Sequence, residues 1–196
     1  MVPRHNLPVI VWDVDDVLNN LMQSWFEVVW LPAHPECTLC FEDIKENPPH
    51  QLLGVSLRDY LESLDEFRLS RHFSSMLPNL EILDWFQNDG EKFHHIALTA
   101  TPLCAAPASS AWVFQHFGRW IRSFHVLPSA RPIHQVTNLF ADKGDYLKWL
   151  NKGDVIVEDN IQNAELARRA GLNALVMPKP WNHAVEAITF KLSALV

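Results

Sequence analysis

The chain has 196 residues, of which 23 are Asp or Glu and 16 are Lys or Arg, so its formal net charge is -7. That acidity argues against a nucleic-acid polymer or an anionic membrane as the main partner, since both would repel it. No apolar run approaches the roughly 20 residues that span a bilayer, and three cysteines are too few for a disulfide framework. We therefore expect a cytoplasmic globular protein that can still bind a small anion at a locally positive site. The sequence does not predict its oligomeric state.

Five short apolar runs along the chain predict β-strands. Each is followed by a polar residue or by proline, and helical patterns lie between most of them. The predicted strands cover residues 8–12, 94–98, 123–127, 154–157 and 172–177. Alternation of this kind predicts an α/β fold with a mostly parallel sheet and helices on both of its faces.

Polar residues that favour the first position of a helix precede several helical patterns. Asn79, Asp142 and Asn160 each stand just before an apolar pattern of helical period, and we predict that each caps a helix. A further helical pattern covers residues 113–120.

The interval between the first two predicted strands is too long for one crossover helix. It contains one helical pattern over residues 21–29 and a second one that begins after Ser56, the predicted cap of that helix. We predict that residues 20–77 form a small helical insertion and that residues 1–19 and 78–196 form the core of the fold.

Acidic, hydroxyl and amine side chains stand at the carboxyl ends of predicted strands or at the helix starts beside them. They are Asp13 and Asp15, Thr99, Lys143, and Glu158 and Asp159. In open α/β sheets ligands bind in the crevice beyond those strand ends, so we expect these side chains to converge. Paired carboxylates suit a hard cation such as Mg²⁺, and a hydroxyl and an ammonium suit phosphate oxygens. One carboxylate can then act as a nucleophile and another as a general acid or base.

These residues resemble the four motifs of the haloacid dehalogenase (HAD) superfamily. Residues 13–18 (DVDDVL) are similar to its DxDx[TV] motif and residues 98–102 (LTATP) to its second motif. Lys143 is similar to its third motif and residues 155–160 (VIVEDN) to its acidic fourth. The resemblance implies a Rossmann-like HAD core, with a parallel sheet and helices on both faces. It also implies a small helical C1-type cap inserted after the first strand.

The resemblance implies catalytic roles for individual residues. Asp13 would attack phosphorus and form an aspartyl-phosphate, and Asp15 would protonate the leaving oxygen and later deprotonate water. Thr99, Ala100 and Lys143 would bind the phosphoryl group. A phosphate dianion and an anionic nucleophile repel each other, so the reaction needs the positive charge of Lys143 and of a cation.

The same resemblance implies that the cation is Mg²⁺. Asp13, the backbone carbonyl of Asp15, and Asp159 would bind it, while Glu158 and Asn163 would orient the ion or its waters. The sequence leaves open whether Glu158 or Asp159 is the direct ligand.

The expected activity is therefore that of a Mg²⁺-dependent phosphomonoester hydrolase, a phosphatase that acts on a small phosphorylated metabolite. Residues 178–182 (PKPWN) resemble a segment of the 5'(3')-deoxyribonucleotidase branch. Asp16 stands at a position where members of that branch usually have glycine. A (deoxy)nucleoside 5'-monophosphate is thus the first substrate hypothesis, which makes the enzyme a nucleotidase, and a sugar or other metabolite phosphate is the second. A nucleobase needs an apolar wall, for which the sequence offers Trp25, Phe26, Trp30, Phe41 and Phe67.

Other interpretations stay open. A phospho-acceptor signalling module also uses Asp, Thr, Lys and Mg²⁺, and a catalytically silent binding protein can share the same scaffold. Cys37 and Cys40 form one CxxC with His34 and His50 nearby, which suits either a structural zinc site or two incidental cysteines.

Overall fold

A computed structural model describes residues 7–129, residue 131 and residues 139–195. In this part of the chain the strands form one parallel sheet with the order β3-β2-β1-β4-β5. The strands are β1 (Val9–Trp12), β2 (His94–Thr99), β3 (Ile121–Val126), β4 (Val155–Glu158) and β5 (Asn173–Val176). The predicted α/β fold with a Rossmann-like parallel sheet is confirmed.

Helices occupy the connections between the strands and the end of the chain. They are α1 (Leu21–Trp25), α2 (Leu31–Ala33), α3 (Leu57–Arg68), α4 (Arg71–Ser74), α5 (Leu80–Asp89), α6 (Ala106–Phe117), α7 (Lys143–Leu150), α8 (Ile161–Arg169) and α9 (Ile188–Ser193). A π-helical turn, Phe26–Trp30, joins α1 to α2. Among the described residues, no helix is long and apolar enough to cross a membrane.

Both faces of the sheet are buried, which explains why the strands are nearly continuous apolar runs. Successive side chains of a strand point to opposite faces. Val11 and Ile156 pack into a small cluster with α7 and α8. Ile10, Trp12 and Val157 pack into a larger cluster on the other face.

The predicted helix caps are confirmed. The side chains of Asn79, Asp142 and Asn160 accept hydrogen bonds from backbone N–H groups in the first turns of α5, α7 and α8. Ser56 does the same for α3, where its Oγ accepts from the N–H of Asp59 at 3.1 Å. Each bond satisfies a donor that a helix start would otherwise leave unpaired.

Some predicted element boundaries are wrong by a few residues. Thr99 belongs to β2, and β3 begins at Ile121, two residues before the predicted start. The helix predicted over residues 113–120 is α6, which ends at Phe117, so Trp120 lies in the turn before β3. There the N–H of Trp120 donates to the carbonyl of Phe117.

The connection between β1 and β2 carries α1 to α5 and packs on one face of the sheet. Its apolar residues Trp25, Tyr60, Leu64 and Phe67 belong to the same buried cluster as the strands. The helical content predicted for this stretch is confirmed, while its division from the core at residues 20–77 stays a prediction.

The strand order places a topological switch point between β1 and β4. The chain runs from β1 to β2 and β3 on one side, and returns to β4 on the other side. Trp12 is the register partner of Val157. The residues that follow them, Asp13 and Glu158, therefore lie side by side. In open α/β sheets this crevice is where ligands bind.

Candidate active site

The carboxyl ends of β1, β2 and β4 border a cavity of about 160 Å³. Its lining brings together all but one of the residues predicted to act in catalysis, phosphate binding or metal binding, and the exception, Glu158, contacts Lys143. The lining includes Asp13, Asp15, Thr99, Ala100, Lys143, Asp159 and Asn163. Their convergence is shown; their individual roles stay predictions.

Asp13 and Lys143 form the centre of the site. Nζ of Lys143 lies 2.9 Å from Oδ1 of Asp13 and also donates to Oε1 of Glu158. The same Oδ1 accepts from the N–H of Val14 at 2.8 Å. Because Lys143 is the first residue of α7 and Asp13 directly follows β1, the sheet and one helix start fix this contact.

The carboxyl groups of Asp13, Glu158 and Asp159 are deeply buried. Burial, with the charge of Glu158, raises the pKa of Asp13 to about 8, although Lys143 opposes the shift. Burial also raises the pKa of Glu158, and it raises the pKa of Asp159 well above its usual range together with the nearby charge of Asp13. Burial disfavours the charge on Lys143, but Asp13 and Glu158 outweigh it and raise its pKa. The site is therefore short of positive charge.

A divalent cation fits this group of residues. Asp13, Glu158 and Asp159 offer oxygen atoms that all lie within 4.8 Å of one another. Oε2 of Glu158 is buried and has no hydrogen-bond partner among the described residues. An all-oxygen donor set suits Mg²⁺, and a cation would relieve the repulsion among the carboxylates. The choice between Glu158 and Asp159 as the direct ligand stays a prediction in favour of Asp159.

Asp15 is held by an arginine that the sequence analysis did not identify. Nη2 of Arg68 donates to Oδ2 of Asp15 at 2.9 Å, and Nδ2 of Asn19 lies 3.4 Å from Oδ1. Arg68 is only 6% exposed and lines the cavity. One signal could have found it, since Tyr60, Leu64 and Arg68 recur every four residues along α3 and therefore share one face.

Arg68 belongs to a chain of alternating charges. Its Nη1 donates to Oδ1 of Asp65 at 2.8 Å. Nη2 of Arg131 donates to the same oxygen at 2.9 Å, and Nε of Arg131 donates to Oδ2 of Asp65. This series of ion pairs connects Asp15 to α3 and to the segment after β3.

Asp16 has a left-handed backbone, with φ of 62°. Asp is among the few residues besides glycine that tolerate this conformation. Oδ1 of Asp16 accepts from the N–H of Met22 at 3.0 Å, and Oδ1 of Asn19 accepts from the N–H of Asp16. Burial raises the pKa of Asp16 to about 6, against the lowering effect of Lys179.

The remaining predicted residues, Thr99, Ala100 and Asn163, also line the cavity. Thr99 is buried at the end of β2, and Ala100 is exposed beside it. Asn163 lines the cavity from the first turn of α8, where its N–H donates to the cap Asn160.

The proposed aromatic wall for a nucleobase is not observed. Trp25, Phe26, Trp30 and Phe67 are buried in the core cluster, and Phe41 packs against that cluster while partly buried. None of the five borders the cavity. The four buried rings lie on the apolar faces of helical segments in the connection between β1 and β2, and these faces pack against the sheet. The aromatic residue that does border the cavity is Tyr60.

The structure does not support a zinc site at the CxxC. Cys37 is half-buried, Cys40 is exposed, and both are free. In the part of the chain that the structure describes, the group of three or more His, Cys, Asp or Glu residues placed to hold a metal is the acidic one. Sγ of Cys40 donates to Oδ2 of Asp43.

The segment after β5 contacts Asp159 directly. Nε1 of Trp181 donates to Oδ2 of Asp159 at 2.9 Å, and Nδ2 of Asn182 donates to the backbone carbonyl of Asp159 at 2.8 Å. Nζ of Lys179 donates to Oδ1 of Asn20 at 2.8 Å. These contacts were not predicted, although the sequence analysis singled out the segment.

No protein-family model and no curated protein matches this sequence. Solved structures do match. A haloacid dehalogenase-like hydrolase from Streptococcus pneumoniae superposes with a TM-score of 0.58 at 10% identity, over 88% of this chain and 85% of that one. A HAD hydrolase from Bacillus subtilis bound to magnesium gives a TM-score of 0.56 at 13% identity, over 91% and 90% of the two chains.

A third solved structure, described as a phosphoglycolate phosphatase from Lactobacillus delbrueckii, gives a TM-score of 0.58 at 12% identity, over 96% of this chain and 98% of that one. At such low identities the comparisons show the fold. The chain has the HAD-type fold that its motifs implied.

Proposed function

We propose that this protein is a Mg²⁺-dependent phosphomonoester hydrolase that acts through an aspartyl-phosphate intermediate. The main support is the placement of Asp13 beside Lys143 at the switch point of the sheet, with a second carboxylate, Asp15, on the same cavity. A nucleophile, a fixed cation and an acid/base group are what this reaction requires.

Asp13 is the nucleophile of the proposed reaction. Lys143 and the N–H of Val14 orient its carboxylate through Oδ1, and the other oxygen attacks phosphorus. The new bond joins Asp13 to phosphorus, while the bond from phosphorus to the ester oxygen breaks. Lys143 offsets part of the negative charge that develops on the phosphoryl group.

Asp15 is the acid and then the base. In the first step it gives a proton to the leaving ester oxygen, which departs as an alcohol. In the second step it takes a proton from the water that attacks the aspartyl-phosphate, which releases inorganic phosphate and restores Asp13. This second carboxylate favours turnover over a stable phospho-acceptor, the alternative that the sequence left open.

Asp13, the backbone carbonyl of Asp15, and Asp159 would hold Mg²⁺, with Glu158 and Asn163 behind them. The ion supplies positive charge that shields the phosphate from the carboxylates. The buried acidic cluster and the unpaired Oε2 of Glu158 support this assignment.

The inserted helices supply the part of the cavity that contacts the rest of the substrate. Leu21, Met22, Tyr60 and Leu64 give it a small apolar side, and Arg68 gives it a charged one. We propose residues 20–77 as a cap and small phosphorylated metabolites as substrates.

The free thiols of all three cysteines support a reducing compartment, the cytoplasm.

The nucleotide and the sugar phosphate make different demands on this cavity. A nucleoside 5'-monophosphate is favoured by the likeness of residues 178–182 to the deoxyribonucleotidase segment. The absence of the expected aromatic residues from the lining favours the smaller metabolite phosphates. Turnover of a panel of nucleoside monophosphates and sugar phosphates, at fixed Mg²⁺, decides between them.

Asp13→Asn tests the proposed activity. The amide is a poor nucleophile, so hydrolysis of p-nitrophenyl phosphate should fall at least 1,000-fold, on the order expected for loss of a group that acts as one unit with its partners. The matched control is Asp84→Asn, which makes the same change at an exposed site on α5. Turnover by folded Asp13→Asn at the rate of the control would disprove the mechanism. Phosphorylation of the unchanged protein that stops at one phosphate per chain would favour the signalling module instead.

A further inference from the structure

We propose that Trp181 is a positioning residue for the metal centre, which it serves by orienting the carboxylate of Asp159. The inference rests on the Mg²⁺ site of the proposed function and extends it to the segment after β5. None of the four motifs that define the site includes this segment.

The indole N–H acts on one oxygen of Asp159. Nε1 of Trp181 donates to Oδ2 at 2.9 Å, and Nδ2 of Asn47 lies 3.5 Å from the same oxygen. With Oδ2 engaged by these two donors, the carboxylate would offer Oδ1 to the cation that it is proposed to hold together with Asp13. Hydrogen bonds of this kind fix the orientation of carboxylates that bind metals.

The polypeptide that carries Trp181 is anchored beside Asp159. Asn182 is buried, and its Nδ2 donates to the backbone carbonyls of both Asp159 and Met177 at 2.8 Å. Its Oδ1 accepts from the backbone N–H groups of Lys179 and Ala184. The side-chain amide of Asn182 thus holds the segment against the end of β4. This fixes the backbone position of the neighbouring Trp181.

The ring of Trp181 is held from the other side by the inserted segment. Phe41 packs edge-on against it with the ring centroids 6.0 Å apart, and Asn47, which shares the acceptor oxygen, comes from the same connection between β1 and β2. The two donors therefore come from segments that are far apart in the chain. The indole nitrogen is the closer of the two and makes the shorter hydrogen bond.

Two substitutions separate the hydrogen bond from the packing of the ring. Trp181→Phe keeps a ring against Phe41 and removes the N–H. Trp181→Gln removes the ring and keeps an N–H donor at the same number of bonds from Cβ. Trp149→Phe is the control, since Trp149 is exposed on α7 and packs against Phe140 and Tyr146.

The measurement is the dissociation constant of Mg²⁺ by isothermal titration calorimetry, without substrate. Loss of the donor in Trp181→Phe should weaken Mg²⁺ binding about 10- to 100-fold, the usual range for groups that orient metal ligands. Trp181→Gln should weaken it less than Trp181→Phe, and Trp149→Phe should leave it unchanged. At saturating Mg²⁺ the kcat of Trp181→Phe for p-nitrophenyl phosphate should stay within about threefold of the unchanged protein, because the catalytic groups are intact.

Equal Mg²⁺ binding by Trp181→Phe and the unchanged protein would overturn the proposal and leave the proposed activity standing. Weaker binding by Trp181→Gln than by Trp181→Phe would also overturn it, since the ring and not the N–H would then matter. If the unchanged protein binds Mg²⁺ but hydrolyses no phosphate ester, the positioning role stands and the proposed activity falls. If it binds no Mg²⁺, this inference falls with the metal site. Thermal unfolding in EDTA shows whether each variant is folded.

Discussion

The ion pair of Arg68 and Asp15 joins helix α3 to the proposed acid/base. Arg68 is buried, and two of its nitrogens are engaged by carboxylates, Asp15 at 2.9 Å and Asp65 at 2.8 Å. A guanidinium held in this way presents a donor in a fixed direction. We therefore expect Arg68 to set where the carboxylate of Asp15 points, so that a change at Arg68 affects the proposed proton transfer more than substrate binding.

We expect Arg68→Met to lower kcat about 10- to 100-fold, within the contribution that general acid catalysis makes. The loss should be larger for phenyl phosphate than for p-nitrophenyl phosphate, because the poorer leaving group depends more on the proton from Asp15. The measurement is kcat for both esters at saturating Mg²⁺. Equal losses for the two would show that Arg68 supports the structure and not the acid.

His95 gives a second prediction at the level of one residue. It is 6% exposed in β2, its Nδ1 accepts from Nε1 of Trp12 at 3.0 Å, and its Nε2 donates to the carbonyl of Gly90 at 2.7 Å. Burial lowers its pKa from 6.5 to about 4. The unfolded chain therefore takes up this proton near pH 6.5 and the folded protein only near pH 4.

The neutral His95 thus contributes stability that is complete above pH 6.5 and is lost as the pH falls toward 4, on the order of 3 kcal/mol in total. His95→Gln removes the titration, so the free energy of unfolding should fall less steeply between pH 6.5 and 4 than in the unchanged protein. Urea unfolding at several pH values measures the slope. His183→Gln, which replaces an exposed imidazole, is the control. Identical slopes for His95→Gln and the unchanged protein would contradict the assignment.

At the scale of elements, the N-caps show why this part of the structure could be read from the sequence. Ser56 precedes α3, accepts from the N–H of Asp59 at 3.1 Å and donates to its carboxylate at 2.7 Å. Ser56→Ala should lower the free energy of unfolding by about 1 kcal/mol. Chemical denaturation measures it, with Ser75→Ala, an exposed serine beyond α4, expected within about 0.5 kcal/mol of the unchanged protein.

The turn into β4 carries another element-scale prediction. Gly153 has φ of 119°, and a Cβ there would lie 2.8 Å from Cγ2 of Val11 and 2.9 Å from Cδ2 of Leu172. Gly171 also has a positive φ, 98°, but a Cβ at that position would meet no atom of the described residues within 4 Å. Gly153→Ala should therefore cost about 1–3 kcal/mol more than Gly171→Ala, because it adds overpacking to backbone strain. Equal losses in urea unfolding would refute the close approach.

Local rules predicted the strands and caps because each depends on a few adjacent residues. The convergence of Asp13, Thr99, Lys143 and Asp159 was also within reach, since parallel strands bring their carboxyl ends to one edge. Arg68 and Trp181 were not, although the period of α3 contained a signal for Arg68. Their positions depend on how α3 and the segment after β5 pack against the sheet. Contacts between residues far apart in the chain determine that packing.

At the scale of the whole molecule, we expect the buried carboxylates to make stability depend on a cation. Asp13, Glu158 and Asp159 repel one another, with Lys143 as the partner that offsets them. Mg²⁺ that binds only the folded protein should raise the free energy of unfolding by about 2.7 kcal/mol at 100 times its dissociation constant. Denaturation in Mg²⁺ and in EDTA measures this difference. Asp159→Asn should reduce it, and an equal gain in that variant would place the ion elsewhere.

The sheet order also has a consequence for synthesis of the chain. β1 is the central strand and is translated first, but its partner β4 pairs with it across 145 positions, as Ile10 with Val155. Such distant pairing slows folding. A nascent or truncated chain that stops before Val155 leaves one edge of β1 unpaired, and Ile10, Val11 and Trp12 are fully buried in the finished protein. Such a fragment exposes an apolar strand edge of the kind that promotes aggregation.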